Sequence, residues 1–531
     1  MPPLEIYDTT LRDGTQGFGV DLSLADKLAL TGELDALGVA FIEGGWPGSN
    51  PKDRAYFEEV RQRGLGRGKI SAFGSTRRNG VRADEDPNLR ALVDSRADLT
   101  CIFGKSWDLH IAEALRVTEA DNLRMIGESV EFLRRATERP VFYDAEHYFD
   151  GLRANPRCAL ATIRAAHEAG ASRIILCDTN GGSLPAQIIQ GVQEAQRTLP
   201  GAVFGIHVHN DGGLATANTL AAIQAGCVQV HGTINGVGER CGNADLTQII
   251  ANCELKLGLS CLPEGRLSRL TEISRIVWER INRLGPDNQP YVGPAAFAHK
   301  GGVHVSAMQR NEKTYEHVSP SSVGNLRRVL ISEMAGRSSL LAKLEDRYPE
   351  LRDAATAAAV LSEVQNLEHQ GYSFEAADGS FDLLVQRKLG RGRPAFLLEY
   401  YRVHGIGTAA RGQGRNGKEA DAAQPVEATV KLEVGGQPRL CVAEGNGPVD
   451  ALSHALGQAL EGAFPVLGRM TLTDYKVRVV NSADGTGARV RVLIEHEIDR
   501  RRFSTIGVHA NIIEASWQAL VDAIDYAVAT S

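Results

Sequence analysis

The chain lacks the features that mark a membrane-spanning, nucleic-acid-binding or disulfide-framed protein. No apolar run in its 531 residues approaches the roughly 20 that a membrane span needs. Basic residues are not in excess: 58 Lys and Arg stand against 65 Asp and Glu, a net charge of −7. That balance excludes the domain-wide positive field of a nucleic-acid binder. The eight cysteines are scattered, with no C-x-x-C pair, which fits reduced thiols better than a disulfide framework. The first residues show no basic, then apolar, then small-residue pattern of a secretory signal. A cytoplasmic protein is therefore expected. No G-x-G-x-x-G follows the first apolar run, so a dinucleotide-binding fold is without its fingerprint.

What is present is a repeated alternation. The chain is 43% hydrophobic and too long for one ordinary domain. Over residues 1 to 265, short β-branched or aromatic runs alternate with longer helix-period stretches. Eight runs read as strands: Glu5–Tyr7, Ala40–Ile42, Ile70–Phe73, Leu99–Phe103, Val141–Tyr143, Arg173–Cys177, Val203–Val208 and Val228–His231. Ser23 is placed to cap the helix that follows the first strand and Gly38 to end it; Gly170 ends another that begins at Pro156. Eight strand-helix repeats in this length predict an α/β fold, a (β/α)8 TIM barrel, with an open doubly wound sheet as the alternative.

Polar residues cluster after the predicted strands, not before them. Asp8, Arg12, Asp13 and Gln16 follow the first, Glu43 to Gly48 the second, Asp144, Glu146 and His147 the fifth, and Asp178, Thr179 and Asn180 the sixth. The seventh ends in His207, His209 and Asn210, and the eighth is followed by Asn235, Glu239, Arg240 and Asn243. In a closed parallel barrel all of these meet at one mouth. His207 and His209 are one residue apart, so on a strand they share a face. With Asp13 and Asn243 they would offer nitrogen and oxygen donors without thiolate, which suits Mg2+, Mn2+ or Zn2+ at an open site. Arg12 beside such a cation can clamp a carboxylate or stabilise an oxyanion, as a small 2-oxo acid would require. Each residue also has a plainer reading: Asp13 as a turn cap, one histidine as a core residue, Thr179 as a helix cap, Glu146 as a solvated carboxylate.

Beyond the barrel, residues 266–390 read as a mainly helical linker, interrupted by the unusual segment from Phe297 to His304. Residues 391–531 alternate strands again. Within them, the Gly- and charge-rich stretch 405–424 reads as a mobile loop. A weak internal echo, Ala443–Leu452 against Ile506–Ala515, suggests two similar strand-helix units in one pseudo-symmetric domain.

Three linked segments carry a family resemblance: Asp8–Gly14, the H-x-H-N-D run at His207, and Gly232–Asn243. Together they resemble the 2-isopropylmalate synthase / homocitrate synthase / citramalate synthase family, over nearly the whole chain. The resemblance implies a metal-dependent barrel that condenses acetyl-CoA with a 2-oxo acid. It implies metal ligation by Asp13, His207, His209 and Asn243, and substrate contacts from Arg12 and Thr179. His299 and Tyr315 match the family's catalytic pair on the linker subdomain, which in family dimers reaches over the partner's barrel; Glu146 would assist as base or order water. Residues 391–531, with Gly447–Ala451, resemble the family's allosteric dimer domain, so a homodimer with an amino-acid feedback inhibitor is implied. Within the family, Ile42–Asp53 and Tyr143–Gly151 are more similar to the citramalate-forming members than to the isopropylmalate-forming ones. The acceptor would then be pyruvate, the pathway isoleucine biosynthesis and the inhibitor isoleucine; 2-oxoisovalerate is the alternative acceptor. Tyr143 is expected in the substrate pocket, shortening it to fit a methyl group.

Overall fold

The computed structural model describes residues 4–300, 302–329, 340–341, 344, 346–405, 426–480, 487–499 and 501–531. They form two compact units. One runs to Phe297 and takes in His317–Arg327; the other comprises Ala298–Glu316 and Arg328–Ser531.

The first unit is the expected closed barrel. Its strands are β1 (Glu5–Asp8), β2 (Phe41–Gly45), β3 (Lys69–Ser75), β4 (Leu99–Lys105), β5 (Val141–Glu146), β6 (Arg173–Asp178), β7 (Phe204–Val208) and β8 (Gln229–Gly232). Neighbours pair in chain order, all parallel, and β8 returns to β1 with Tyr7 opposite His231. The caps fall where the sequence places them. Ser23 accepts from the Asp26 N–H, Asp26 reciprocates, and Gly38 ends the helix Leu24–Leu37 at φ 96°. Asn155 caps the helix Pro156–Glu168.

The interior is a packed column, not a pore. At its foot Arg173 makes a two-pronged pair with Glu5 at 2.9 and 3.1 Å, and Gln229 donates to the same carboxylate at 3.0 Å. Above it Tyr7 stacks on His231, ring centres 3.9 Å apart. Higher still, the Tyr7 hydroxyl lies 2.7 Å from Glu43 Oε1 and 2.8 Å from Ser71 Oγ. The apolar side chains of the outer strand face pack under the helices as one continuous core.

A buried ion pair pins the loop after β2. Lys27 donates to the Gly44 carbonyl at 3.0 Å and pairs with Asp53, whose other oxygen accepts from the Trp46 N–H at 2.9 Å. Gly44 is required here, because a Cβ would sit 2.0 Å from the Tyr56 ring. Lys27→Met leaves the Asp53 charge buried without its cation. Urea denaturation should show a loss of about 3–5 kcal/mol; a stability within about 1 kcal/mol of the parent would refute this account of the loop.

In the second unit, β9 (Ala298–His299) pairs with β10 (Arg328–Val329). Helices Ala354–His369 and Asp378–Lys388 follow. The C-terminal part shows the internal echo as two matching motifs. β11 (Leu397–Gly405), β12 (Val426–Val434) and β13 (Gln437–Gly445) form an antiparallel sheet followed by the helix Pro448–Leu460. β14 (Thr471–Val479), β15 (Val490–Ile498) and β16 (Arg501–His509) form another, followed by Ile512–Ala529. Ala428, Leu456, Val492 and Trp517 from both motifs share one core. The stretch read as a mobile loop, 405–424, lies outside the described residues apart from Gly405.

Candidate functional site

The loop after β1 is tied down before it reaches the mouth. Asp8 accepts from the Thr10 N–H and hydroxyl at 2.9 and 2.8 Å, and the Ile234 N–H donates to Thr10 at 2.9 Å. This joins the first loop to the last. Burial raises the Asp8 carboxyl to about 7. The chain then turns so that Arg12 and Asp13 point into the mouth.

Asp13 meets both histidines there. Its Oδ2 lies 3.3 Å from His207 Nε2 and 3.9 Å from His209 Nε2, and the two Nε2 atoms are 3.2 Å apart. All three residues are buried. Among the described residues this is the one group of three or more His, Cys, Asp or Glu side chains close enough to hold a metal ion together. The backbone of His209 bridges to Asn243 on the loop after β8, and that side chain is buried as well. Among the described residues, four buried atoms in this group have no hydrogen-bond partner: Asp13 Oδ1, His207 Nδ1, His209 Nδ1 and Asn243 Oδ1. Buried polar atoms are rarely left so. Donors 3–4 Å apart match the edges of a coordination shell of roughly 2.0–2.2 Å bonds, so these residues fit a divalent cation.

The three groups differ in their electrostatics: burial would pull the His207 imidazole down, but its contact with Asp13 outweighs this and raises it. Burial alone would raise the Asp13 carboxyl, but Arg12 and the two histidines outweigh it and hold it well below the usual carboxylate range. Burial, with His207 adding to it, pulls His209 down to about 4, so its ring nitrogen is available as a lone-pair donor at neutral pH.

Arg12 is fixed by Glu43. Its Nε donates to Glu43 Oε2 at 2.6 Å, and Thr9 Oγ1 donates to the same oxygen at 2.5 Å. The guanidinium lies 3.7 Å over the Phe73 ring. Phe73 in turn meets Trp46 and Phe103 edge-on and stacked, at 5.8 and 5.6 Å. An aromatic wall therefore backs the arginine. On the opposite side, the His147 N–H donates to Thr179 Oγ1 at 2.9 Å, which leaves the threonine's own proton to donate elsewhere. Glu146, at the end of β5, pairs with Lys105 at the end of β4.

Tyr143 is a correction. It was expected in the pocket, but it is fully buried in the apolar layer behind the strands, its hydroxyl against the space a Gly104 side chain would fill. Its neighbour Asp144 faces the interior, accepting from Cys101 Sγ at 3.1 Å, with its carboxyl raised by burial to about 6. The steric argument built on Tyr143 falls with its position. Glu43 and Asp144 had been read only as members of polar clusters, and Lys105 was not read at all. The period of two from Phe41 to Glu43 and from Phe142 to Asp144 and Glu146 was the signal for the first two.

His299 and Tyr315 belong to the second unit. His299 Nε2 lies 3.2 Å from Glu316 Oε1. Tyr315 is 46% exposed, its ring stacked on His304 at 4.1 Å.

Comparison with known proteins follows the same divisions. Residues 3–277 match the HMGL-like family, 291–371 the homocitrate synthase post-HMGL domain-like family, and 375–528 the LeuA allosteric (dimerisation) domain. The chain is 46% identical over 529 residues to an (R)-citramalate synthase of Geobacter sulfurreducens, covering 99% of this chain and 98% of that one. It is 47% identical over 532 residues to an (R)-citramalate synthase of Synechocystis sp., covering 98% and 96%. A 2-isopropylmalate synthase of Edwardsiella ictaluri is more distant, 30% identical over 538 residues, covering 98% and 94%.

Proposed function

The chain belongs to the (R)-citramalate synthase family, and from that premise we propose how its own residues carry out the reaction. That reaction is the condensation of acetyl-CoA with pyruvate to (R)-citramalate and CoA. The carrying observation is likeness at this level over the full length, well above that to the isopropylmalate-forming relative.

Asp13, His207, His209 and Asn243 would hold the divalent cation: Mg2+, Mn2+ or Zn2+ by their nitrogen and oxygen donors. The cation supplies Lewis-acid polarisation of the 2-oxo acid's carbonyl. Thr179 donates its hydroxyl proton to the acid's carboxylate. Arg12, held flat by Glu43 and Phe73, places positive charge where the carbonyl oxygen turns negative. His299, with Glu146 assisting, takes a proton from the acetyl methyl. The methyl carbon then bonds to C2 of the acceptor, the carbonyl oxygen gains a proton to become hydroxyl, and water cleaves the thioester. Tyr315, whose ring stacks on His304, takes part in these proton movements. The aromatic wall of Trp46, Phe73 and Phe103, in place of Tyr143, limits the acceptor's alkyl group.

A thiol-release assay with purified enzyme and metal tests the assignment. We expect kcat/KM for pyruvate to exceed that for 2-oxoisovalerate by about 10- to 200-fold, the discrimination an apolar pocket achieves over an added methylene or two. A preference for 2-oxoisovalerate would replace the reading with isopropylmalate synthesis. We propose further that the chain acts as a homodimer through residues 375–528 and that isoleucine, the product-side amino acid, binds this region. Linkage then requires isoleucine to bind one substrate-affinity state more tightly than another. Isoleucine should lower activity of the full-length enzyme where leucine at equal concentration does not; equal effects of the two would reject it.

A further inference from the structure

We propose that Asp150 is a positioning residue for Thr179, acting through His147 on one side and Asn180 on the other to hold the threonine's hydroxyl for the 2-oxo acid's carboxylate. The proposal rests on the reading of Thr179 as the carboxylate contact.

Thr179 lies just past β6 and takes a hydrogen bond from the neighbouring loop, where the His147 N–H donates to its Oγ1 at 2.9 Å. His147 sits in the left-handed region, at φ 58° and ψ 32°. A non-glycine residue stays there only where its surroundings fix it. Here its own side chain is the anchor. The ring lies 4.0 Å from that of His110 and 5.7 Å from that of Trp107, and its Nδ1 is 3.3 Å from Asp150 Oδ2. Both His147 and Asp150 are buried.

The same oxygen reaches the loop after β6. Asn180, the residue next to Thr179, donates its Nδ2 to Asp150 Oδ2 at 3.0 Å. One carboxylate thus grips the chain on both sides of the His147–Thr179 contact. Its Oδ1 accepts from Arg153 Nη2 at 2.5 Å, and Arg153 Nη1 donates to Ser183 Oγ at 3.2 Å, further along the loop after β6. An ionised carboxylate only accepts and has room for several donors, which suits it to gather an imidazole, an amide and a guanidinium at one point. From the loop after β8, Arg240 donates to the Thr179 carbonyl at 2.8 Å. With a lone pair of Oγ1 taken by the His147 N–H, the hydroxyl proton is left to donate to an anion. The acceptor's carboxylate keeps its charge throughout the condensation. The contact therefore strengthens ground state and transition state alike, and its loss should appear in KM for the 2-oxo acid and not in kcat.

The test uses full-length enzyme with metal, in the variants Thr179→Val, Asp150→Asn, the two combined, and Asn180→Ala. Thr179→Val should raise KM for pyruvate about 10- to 100-fold, the contribution of one hydrogen bond to a charged group. Asp150→Asn should raise it about 3- to 30-fold, a coupling of ordinary size within one network, with kcat and KM for acetyl-CoA parental. In the Thr179→Val background, Asp150→Asn should add less than about twofold. Asn180→Ala, at an exposed position, should raise KM for pyruvate by a smaller factor than Asp150→Asn. The proposal is overturned if Asp150→Asn keeps the parental KM for pyruvate, or costs as much without Thr179 as with it. It is also overturned if kcat and both KM values shift together, as a general loosening of the loop would make them. Parental KM for pyruvate in Thr179→Val would instead remove the threonine from the carboxylate, and the role of Asp150 with it. Should Asp150→Asn not fold, Asn180→Ala decides: a higher KM for pyruvate alone, lost in the Thr179→Val background, supports the clamp, and parental behaviour ends it.

Discussion

Asp13→Asn should abolish tight binding of a divalent cation and lower kcat by roughly 10³-fold, with the barrel still folded. The size follows from several kcal/mol of Lewis-acid stabilisation, at about 1.4 kcal/mol per factor of ten. Asparagine matches aspartate in shape, so no cavity opens at a position only 2% exposed. What changes is charge. Asp13 is the one anion among the proposed ligands, and Arg12 lies 3.4 Å from its Oδ2. Without it, two imidazoles and two neutral amides must hold a dication beside a guanidinium. Calorimetric titration with Mn2+ measures the binding, thiol release the turnover, and circular dichroism the fold. Parental Mn2+ affinity in the Asn variant would remove Asp13 from the metal site. His207→Ala should behave alike, since it removes the nitrogen nearest to Asp13.

Glu43→Gln should be nearly as damaging by another route. Three groups donate to this carboxylate: the Tyr7 hydroxyl, the Thr9 hydroxyl and Arg12 Nε. A glutamine has one acceptor oxygen, and its NH2 would face a donor. Arg12 would lose its counter-charge and its fixed angle over Phe73. The expected loss is about 10²–10³ in kcat/KM, the effect of removing one donor from a developing oxyanion. Stability should fall by about 3–5 kcal/mol, because a buried pair has been broken on one side. Steady-state kinetics and urea denaturation measure the two effects. A Gln variant with parental kcat/KM would show that Arg12 does not depend on Glu43 for its position.

The part of this protein legible in its sequence was whatever is written in local pattern. β-branched runs followed by amphipathic stretches marked the eight strands, to within a residue or a few at their ends. Ser23 and Gly38 marked a helix because capping and left-handed backbone are properties of single residues. His207 and His209 could be placed on one face because a strand has a period of two. The period of two that links Phe142, Asp144 and Glu146 puts Tyr143 on the opposite face, but it does not say which face is the inner one. β5 is buried on both sides, Val141 to Ala145 without a break, so no polar–apolar alternation told the inner face from the outer. The tyrosine was put in the pocket from the resemblance, and Asp144, one residue on, is the side chain that faces the interior. The roles of Glu43 and Lys105 were hidden for a different reason. Each depends on a partner from elsewhere in the barrel: Arg12 on the loop after β1 for Glu43, and Glu146 on β5 for Lys105.

By itself, then, the order of residues settled the repeating element, its caps and the kinds of donor available. Only closure of the eight strands decided which donors meet, because Asp13 and His207 are 3.3 Å apart in space and nearly two hundred positions apart along the chain. Ring closure is a long-range fact: it comes from every strand satisfying its hydrogen bonds on both edges, with β8 pairing back to β1.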